Sequence, residues 1–301
     1  MFFLLFLVGV CRDFAIFVDS NARMVLCGRS AMFNNNNERL MEAVKLGKHS
    51  VKLYDCIEDL PIVRFHKYQK YLLVDSGIGG TIAQFDQRIE TIRRFLMLEK
   101  VDQAQKEIEN LRQCVYMIQS EISPRHLSFA ALVTEIDGKP CDDLSDDALQ
   151  KVIEQLSDVP ESEITDLIGS VKKKIDRELV TYFPALFDNS EVKEYYGLMK
   201  KRIVTILENI TKGVDLPDRT KEVQNITTKL ITYSNPQTFS GSDSAEIRFD
   251  KEFENLCLLL SGELNVKPKD FSVLEFYNAF AYLQDKAKRA EKAQRGLNND
   301  F

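Results

Sequence analysis

A helical period runs through this chain from about Leu60 onwards, and it constrains the fold more than any other feature. Its clearest stretch lies at residues 101–118, where apolar side chains alternate in steps of three and four. These side chains are Val101, Ala104, Ile108, Leu111, Val115 and Ile118. Such spacing places an apolar stripe along an α-helix. The stretch covers only about two and a half heptads. We therefore predict a short helical hairpin here, not a free-standing coiled coil.

Cap residues divide the periodic region into separate helices. Pro61 and Gly77 bracket the first, because proline is tolerated in the first turn and glycine commonly ends a helix. Capping-box patterns begin further helices at Thr81 and Ser272. Longer helices are predicted at about 161–183 and 190–212, and a shorter one at about 219–233.

The segment from Ser123 to Gly138 allows two interpretations. Ser123 fits a helix cap, and Pro124 fits the first helical position. The compact apolar run from Phe129 to Ile136 also fits a strand followed by a turn. We expect a helix, with the strand and turn as the alternative.

The composition agrees with a helical, globular protein. Hydrophobic residues make up 44% and charged residues 29% of the 301 positions, with only 13 Gly, 8 Pro and no Trp. We therefore predict a mainly α fold, a multi-helix bundle of antiparallel amphipathic helices. The net charge of -6 argues against broad, non-specific binding to nucleic acid. The six cysteines form no C-x-x-C pair, which favours reduced thiols in a cytoplasmic protein.

Composition also divides the chain into four parts. Residues 1–45 show no coherent period, and residues 46–233 form the predicted main helical domain. The polar segment 234–245, SNPQTFSGSDSA, is a predicted linker. It leads to a predicted C-terminal helical unit at 246–301.

An apolar run from Phe2 to Val10 begins the chain. It is too short to cross a bilayer, which takes about 20 apolar residues. No Lys or Arg precedes it, although a secretory signal would require one. Three interpretations stay open for residues 1–31: translation that starts at Met24 or Met32, an export signal, or a buried N-terminal element. For the main domain we expect no association with a membrane.

The glycine-rich stretch at residues 71–85, YLLVDSGIGGTIAQF, is where the chain most resembles an enzyme. It is similar to a DSG-(I/V)-GG loop of glutamate racemases, which also need two cysteines as acid and base. None of the six cysteines lies in such a setting. A phosphate-binding loop would need Lys after Gly80, where Thr81 stands. We therefore interpret the stretch as a turn between two antiparallel helices.

Side chains for metal binding or catalysis are dispersed. His49, His66 and His126 lie far apart, and none has a Cys or His at ligand spacing. The acidic residues within 142–147 lack the spacing of a calcium loop, and the dipole of the helix they precede explains them. We predict no catalytic, cofactor or metal site, and no enzyme activity.

Three segments resemble helical proteins encoded in the morphogenesis regions of tailed phages. They are EDLPIVRFHKYQKYLLVDSGIGG, FAALVTEIDGKPCDDLSDDALQKVIEQL and GELNVKPKDFSVLEFYNAFAYL. The last is similar to the C-terminal helical unit of tail assembly chaperones. The resemblance implies a non-enzymatic assembly protein in the host-cell cytoplasm, which covers hydrophobic segments of a structural protein until assembly displaces it. It carries over no functional residue.

A protein of this kind needs exposed apolar helix faces. The candidate partner-binding residues are Leu111, Val115, Ile118, Phe271, Phe276, Tyr277 and Phe280. We expect a protein partner, and the same faces are compatible with a homo-oligomer. The alternatives are a structural or adaptor subunit of a virion or other particle, an enzyme of unrecognised type, and a nucleic-acid-associated regulator. The regulator would use the basic stretch at 286–295.

Overall fold

A computed structural model describes residues 43–187, 190–212, 217–233 and 235–298. The three interpretations of residues 1–31 lie outside the described residues. Within them the fold is mainly helical, so the predicted fold class is confirmed.

The helices follow the predicted periodic stretches closely. They are α1 (Ile62–Gly77), α2 (Ile82–Met97), α3 (Val101–Gln119), α4 (Pro124–Leu132), α5 (Asp146–Gln155), α6 (Glu161–Tyr182), α7 (Pro184–Phe187), α8 (Ser190–Lys212), α9 (Pro217–Tyr233), α10 (Ala245–Leu264) and α11 (Val273–Asn298). A short 3-10 helix, Pro268–Asp270, precedes α11. The capping box at Thr81 is confirmed, since its hydroxyl accepts from the Gln84 N–H. Ser272 and Glu275 form the second one.

A small antiparallel sheet accompanies the helices, and the sequence did not predict it as a whole. Its strands are β1 (Val44–Leu46), β2 (His49–Leu53), β3 (Val133–Ile136) and β4 (Lys139–Pro140), in that order across the sheet. The expected helix over Ser123–Gly138 is therefore wrong beyond Leu132. Val133 and Ile136 are both buried against β2, and β-branched side chains suit a pleated surface.

Buried Arg64 holds the point where α4 changes into β3. Its guanidinium donates to the carbonyl oxygens of Ala131 at 3.3 Å, Val133 at 3.0 Å and Cys141 at 2.6 Å. These carbonyls lie at the end of a helix and around a short strand, where few backbone donors can reach them. Arg64 of α1 thereby stabilises the point where α4 ends.

The C-terminal helices share the main core, although the sequence predicted a separate unit after a linker. Ile62 N–H donates to the Phe271 carbonyl at 2.9 Å, and Val273 N–H donates to the Leu60 carbonyl at 2.9 Å. Residues of α10 and α11 lie in the same hydrophobic cluster as α1, α4 and α6. Phe239, within the predicted linker, is buried in a second cluster beside the end of α1.

Two helical hairpins complete the fold. The α2 and α3 helices, joined by residues 98–100, pack against each other, as do α8 and α9. The hairpin predicted around 101–118 is thereby confirmed, and its inner side buries Phe95 and Ala104. Among the described residues, no helix is both long and apolar enough to cross a membrane.

Candidate functional site

The glycine-rich stretch is a corner between α1 and α2, as the sequence indicated. The α1 helix ends at Gly77, and Gly79 adopts φ +77°, which side chains with a Cβ rarely adopt. A Cβ on Gly77 would lie 2.0 Å from the ring of buried Phe239. Both glycines therefore have a structural reason to be there, and neither reason involves a ligand.

Asp75 is the ionisable group of this corner. It accepts a hydrogen bond from Gln84 Nε2 at 3.2 Å. Burial raises the pKa of its carboxyl group above the ordinary value, although Gln84 and nearby positive charges oppose the shift. Because Gln84 also completes the capping box at Thr81, the Asp75 carboxylate helps to position the start of α2.

Beneath the corner lies a buried ion pair that the sequence did not reveal. Arg88 Nη1 donates to Glu107 Oε2 at 2.7 Å, which joins α2 to α3. The same guanidinium donates to the carbonyls of Ile78 at 2.7 Å and Ser76 at 3.1 Å. Burial raises the pKa of Glu107, while Arg88 opposes that shift. Arg88 therefore holds together the end of α1, α2 and α3.

A second polar cluster connects α1 with α10. The His66 ring is stacked between Phe249 and Phe253, with ring centroids 4.5 and 4.1 Å away. Its Nε2 lies 2.9 Å from Asp250 Oδ1, and Lys70 donates to the other oxygen of Asp250 at 2.6 Å. Burial lowers the pKa of His66, so the imidazole is neutral at pH 7. With both ring faces covered, this group ties the two helices together.

Two acidic residues at the start of α5 also have structural partners. The Asp146 carboxylate accepts from Lys67 at 2.6 Å and from the Tyr71 hydroxyl at 2.7 Å, which connects α5 to α1. Asp143 accepts from the backbone N–H and the hydroxyl of Ser145. Within the described ranges, no three His, Cys, Asp or Glu side chains are grouped so as to hold a metal ion.

His49 joins three turns of the chain near the sheet. Its Nδ1 lies 2.6 Å from Asp137 Oδ2, and its Nε2 lies 3.0 Å from Asp158 Oδ1. The hydrogen bond to Asp137, followed by that to Asp158, holds the pKa of His49 above 6.5 against its partial burial. The pKa values of both carboxyl groups are lowered, that of Asp137 chiefly by the Ser50 N–H and that of Asp158 chiefly by Lys48.

We expect His49 to make stability depend on pH. A histidine with a raised folded pKa contributes stability that is fully present below its ordinary value of 6.5 and is lost as pH rises through the folded value. The free energy of unfolding of the wild type should therefore exceed that of His49→Gln by a larger margin at acidic than at alkaline pH. Urea midpoints of both proteins would check this, measured from a pH just above the range in which carboxyl groups titrate up to pH of about 9.

His126→Gln is the matched control for His49. Burial lowers the pKa of His126, so its contribution has the opposite sign and weakens as pH falls. His66 titrates in the same direction as His126 and is unchanged in both variants, so it cancels in the comparison. A margin for His49→Gln that is constant across pH would show that the Asp137–His49–Asp158 contact does not form in solution.

The structure separates the predicted partner-binding residues. Phe276 and Phe280 are buried, so the expectation that they form an exposed face is wrong. Phe271 and Tyr277 are partly buried and pack on the same core, because α11 lies against α1. The α3 residues Leu111, Val115 and Ile118 are half-buried. Whether any of these residues binds a partner stays a prediction.

Other apolar residues of the α2–α3 hairpin are exposed. We define the α2–α3 strip as Ile82, Ile89 and Leu96 of α2 with Val101 and Ile108 of α3. These side chains are 39–71% exposed. Within each helix they repeat every seven residues. The apolar positions of the α2 heptads thus fall into two sets. The strip residues are exposed, whereas the others, such as Phe85 and Ile92, pack on buried clusters.

A further exposed aliphatic face lies on α8. We define the α8 strip as Ile203, Val204, Leu207 and Ile210, which are 43–70% exposed. The opposite side of α8 faces α9, where Arg202 Nε donates to the Thr227 hydroxyl at 2.9 Å. Single exposed apolar residues are ordinary, whereas a contiguous group on one helix is typical of a binding surface.

This chain matches no protein-family model, no curated protein and no solved structure among those compared.

Proposed function

We propose that this protein is a non-enzymatic assembly protein that binds apolar segments of another protein. The observation that carries the proposal is the α8 strip. Four large aliphatic side chains on one helix keep roughly half or more of their surface in water. Covering them would be favourable by about 25 cal/mol per Å² of apolar area. An apolar peptide segment is the ligand that such a face accepts best.

The polar clusters support the same proposal. The ionisable side chains of His49, His66, Asp146 and Arg88 are each engaged in contacts that connect separate elements of the fold. A general acid or base must instead be within reach of a substrate proton. These groups therefore hold separate elements of the fold in place, which leaves surface binding as the best-supported mode of action.

The similarity to tail assembly chaperones suggests one particular form of this function. In that form the client is a long structural protein, and the exposed helix faces cover its hydrophobic segments in the cytoplasm of the host cell. The binding must be reversible, since assembly has to displace the chaperone. A small strip such as that on α8 suits reversible binding better than a large obligate interface would.

Aggregation of reduced insulin, followed by light scattering, tests the binding activity. We expect the full chain to suppress the scattering in a dose-dependent manner, because its apolar strip covers exposed segments of the insulin B chain. The double variant Ile203→Glu with Leu207→Glu should need several-fold more protein for the same effect. Both positions are exposed, so the variant should fold normally.

Leu258→Glu is the matched control for that experiment. Leu258 is an exposed leucine on α10, outside the α8 strip. Introducing the same charge there should leave the suppression unchanged. A wild type that does not suppress scattering, or a Leu258→Glu variant that loses as much activity as the double variant, would contradict the proposal.

A further inference from the structure

We infer that two copies of this chain associate through antiparallel packing of their α2 helices, centred on Ile89. The interface is separate from the α8 strip, so it goes beyond the proposed function and does not depend on it. The inference rests on the spacing of exposed apolar residues along α2 and on the charges beside them.

Among the residues that the structure describes, the apolar side of the α2–α3 hairpin is only partly covered. Ile92 packs on the Phe95–Ala104 cluster between the two helices, whereas Ile89 and Leu96 are not part of that cluster and are exposed. Helical hairpins bury a second stripe of this kind when two further helices pack against them, as in a four-helix bundle. The α2–α3 strip is therefore shaped to receive a helical pair.

The spacing along α2 is symmetric about Ile89. Ile82 lies seven residues before it, and Leu96 lies seven residues after it. A two-fold axis through Ile89 would place the two Ile89 side chains against each other, and Ile82 against Leu96 of the second copy. Such an interface is isologous, which is the commonest arrangement in homodimers. The strip is consequently complementary to itself in shape and chemistry.

Charges beside the strip select the antiparallel orientation. Asp86 and Arg93 are also seven residues apart, and both occupy the position four residues after an exposed apolar residue. In an antiparallel pair this position meets the equivalent position on the other helix. Asp86 would therefore face Arg93 of the second copy, and Arg93 would face Asp86 of the second copy. In a parallel pair this position instead faces the residue just before an apolar residue of the partner, so Asp86 and Arg93 would not meet.

Both charged groups are free enough to take part. Asp86 is exposed, and 68% of the Arg93 side chain is accessible. Among the described residues, the nearest acidic oxygen to Arg93 is 3.8 Å away, on Glu90. Glu90 makes a closer contact of 3.0 Å with Arg94. A carboxylate of a second copy would therefore gain a better hydrogen bond with Arg93 than Glu90 provides.

Val101 and Ile108 of α3 extend the same surface, because α3 runs beside α2 in the hairpin. They would contact the second copy at the sides of the central α2 pair. The expected assembly is thus a four-helix bundle built from two hairpins, with the two α2 helices at its centre.

Analytical ultracentrifugation of the full chain tests the association. At micromolar concentration, we expect a species of about twice the chain mass of 34.6 kDa. Ile89→Glu should raise the dissociation constant on the order of 100-fold, because two unpaired carboxylates would meet at the axis. Leu207→Glu, on the α8 strip, is the matched control and should leave the dimer intact. Circular dichroism should show equal helicity for all of these proteins.

A charge exchange tests the orientation. Asp86→Arg or Arg93→Asp alone should weaken the dimer about tenfold, because each places like charges opposite each other twice. The double variant with both exchanges should regain an affinity within about threefold of the wild type. A monomeric wild type, a dimer unaffected by Ile89→Glu, or a double variant as weak as its parents would overturn the inference. None of these results would alter the insulin experiment, since that uses the α8 strip.

Discussion

Phe276→Ala should lower the free energy of unfolding by about 3–5 kcal/mol, the range typical of a buried Phe replaced by Ala. Phe276 is only 2% exposed and belongs to the largest cluster of the core. Its ring lies 6.0 Å from that of Phe253 and 5.7 Å from that of Tyr277. Both neighbours are fixed on helices, so the cavity would collapse only in part. Urea unfolding monitored by circular dichroism would measure the loss.

Tyr282→Ala, on the same helix, provides the matched control. Tyr282 is 61% exposed, so its removal should change stability by no more than about 0.5 kcal/mol. The comparison also distinguishes the two interpretations of α11. If the Phe276 face were a free docking surface, as the sequence suggested, Phe276→Ala would cost as little as Tyr282→Ala. That result would show that α11 is detached from the core in solution.

Arg88→Met should lower the free energy of unfolding by a similar amount, about 3–5 kcal/mol. The substitution keeps most of the apolar stem but leaves the buried Glu107 carboxylate without its positive partner. It also leaves the carbonyls of Ser76 and Ile78 without their side-chain donor. Burial already raises the pKa of Glu107, and losing Arg88 would raise it further.

This pKa shift makes the expected loss dependent on pH. A carboxyl group with a raised folded pKa is destabilising above its ordinary value of 4.5, and protonation relieves the penalty as pH falls. The difference in the free energy of unfolding between Arg88→Met and the wild type should therefore become smaller from pH 7 towards pH of about 5. Parallel urea titrations at these two values would measure it.

Two further variants separate the ion pair from the other contacts of Arg88. Adding Glu107→Leu to Arg88→Met should recover the part of the loss that comes from the unpaired carboxylate. Arg112→Met serves as the control, because its contact with Glu109 is exposed and should be worth less than about 1 kcal/mol. A double variant no more stable than Arg88→Met would show that the loss of stability comes mainly from the carbonyl contacts and not from the unpaired Glu107.

Local patterns were sufficient to predict most helices and their ends. The capping boxes at Thr81 and Ser272, and the turn at Gly77, depend on residues within a few positions of each other. Such interactions are present in any conformation that forms the helix, so a single sequence contains the information for them. The interpretation of the glycine-rich stretch as a helix corner succeeded for the same reason.

Long-range pairing was beyond the reach of local patterns. β2 pairs with β3 although more than seventy-five residues separate them, and Arg64 of α1 donates to the Val133 carbonyl where α4 gives way to β3. The compact apolar run from Phe129 to Ile136 suits a helix or a strand. The neighbouring strand, which only the folded chain supplies, decided between the two.

The sequence by itself determined which residues form each apolar stripe, because a stripe follows from helical spacing alone. Only the tertiary structure decided what covers each stripe. It buried the Phe276 face against α1 and left Ile89 and Leu207 in water. Hydrophobic burial is non-directional, so the sequence of an apolar face does not specify which surface will cover it. The candidate binding sites therefore became visible only once the helices had been placed together.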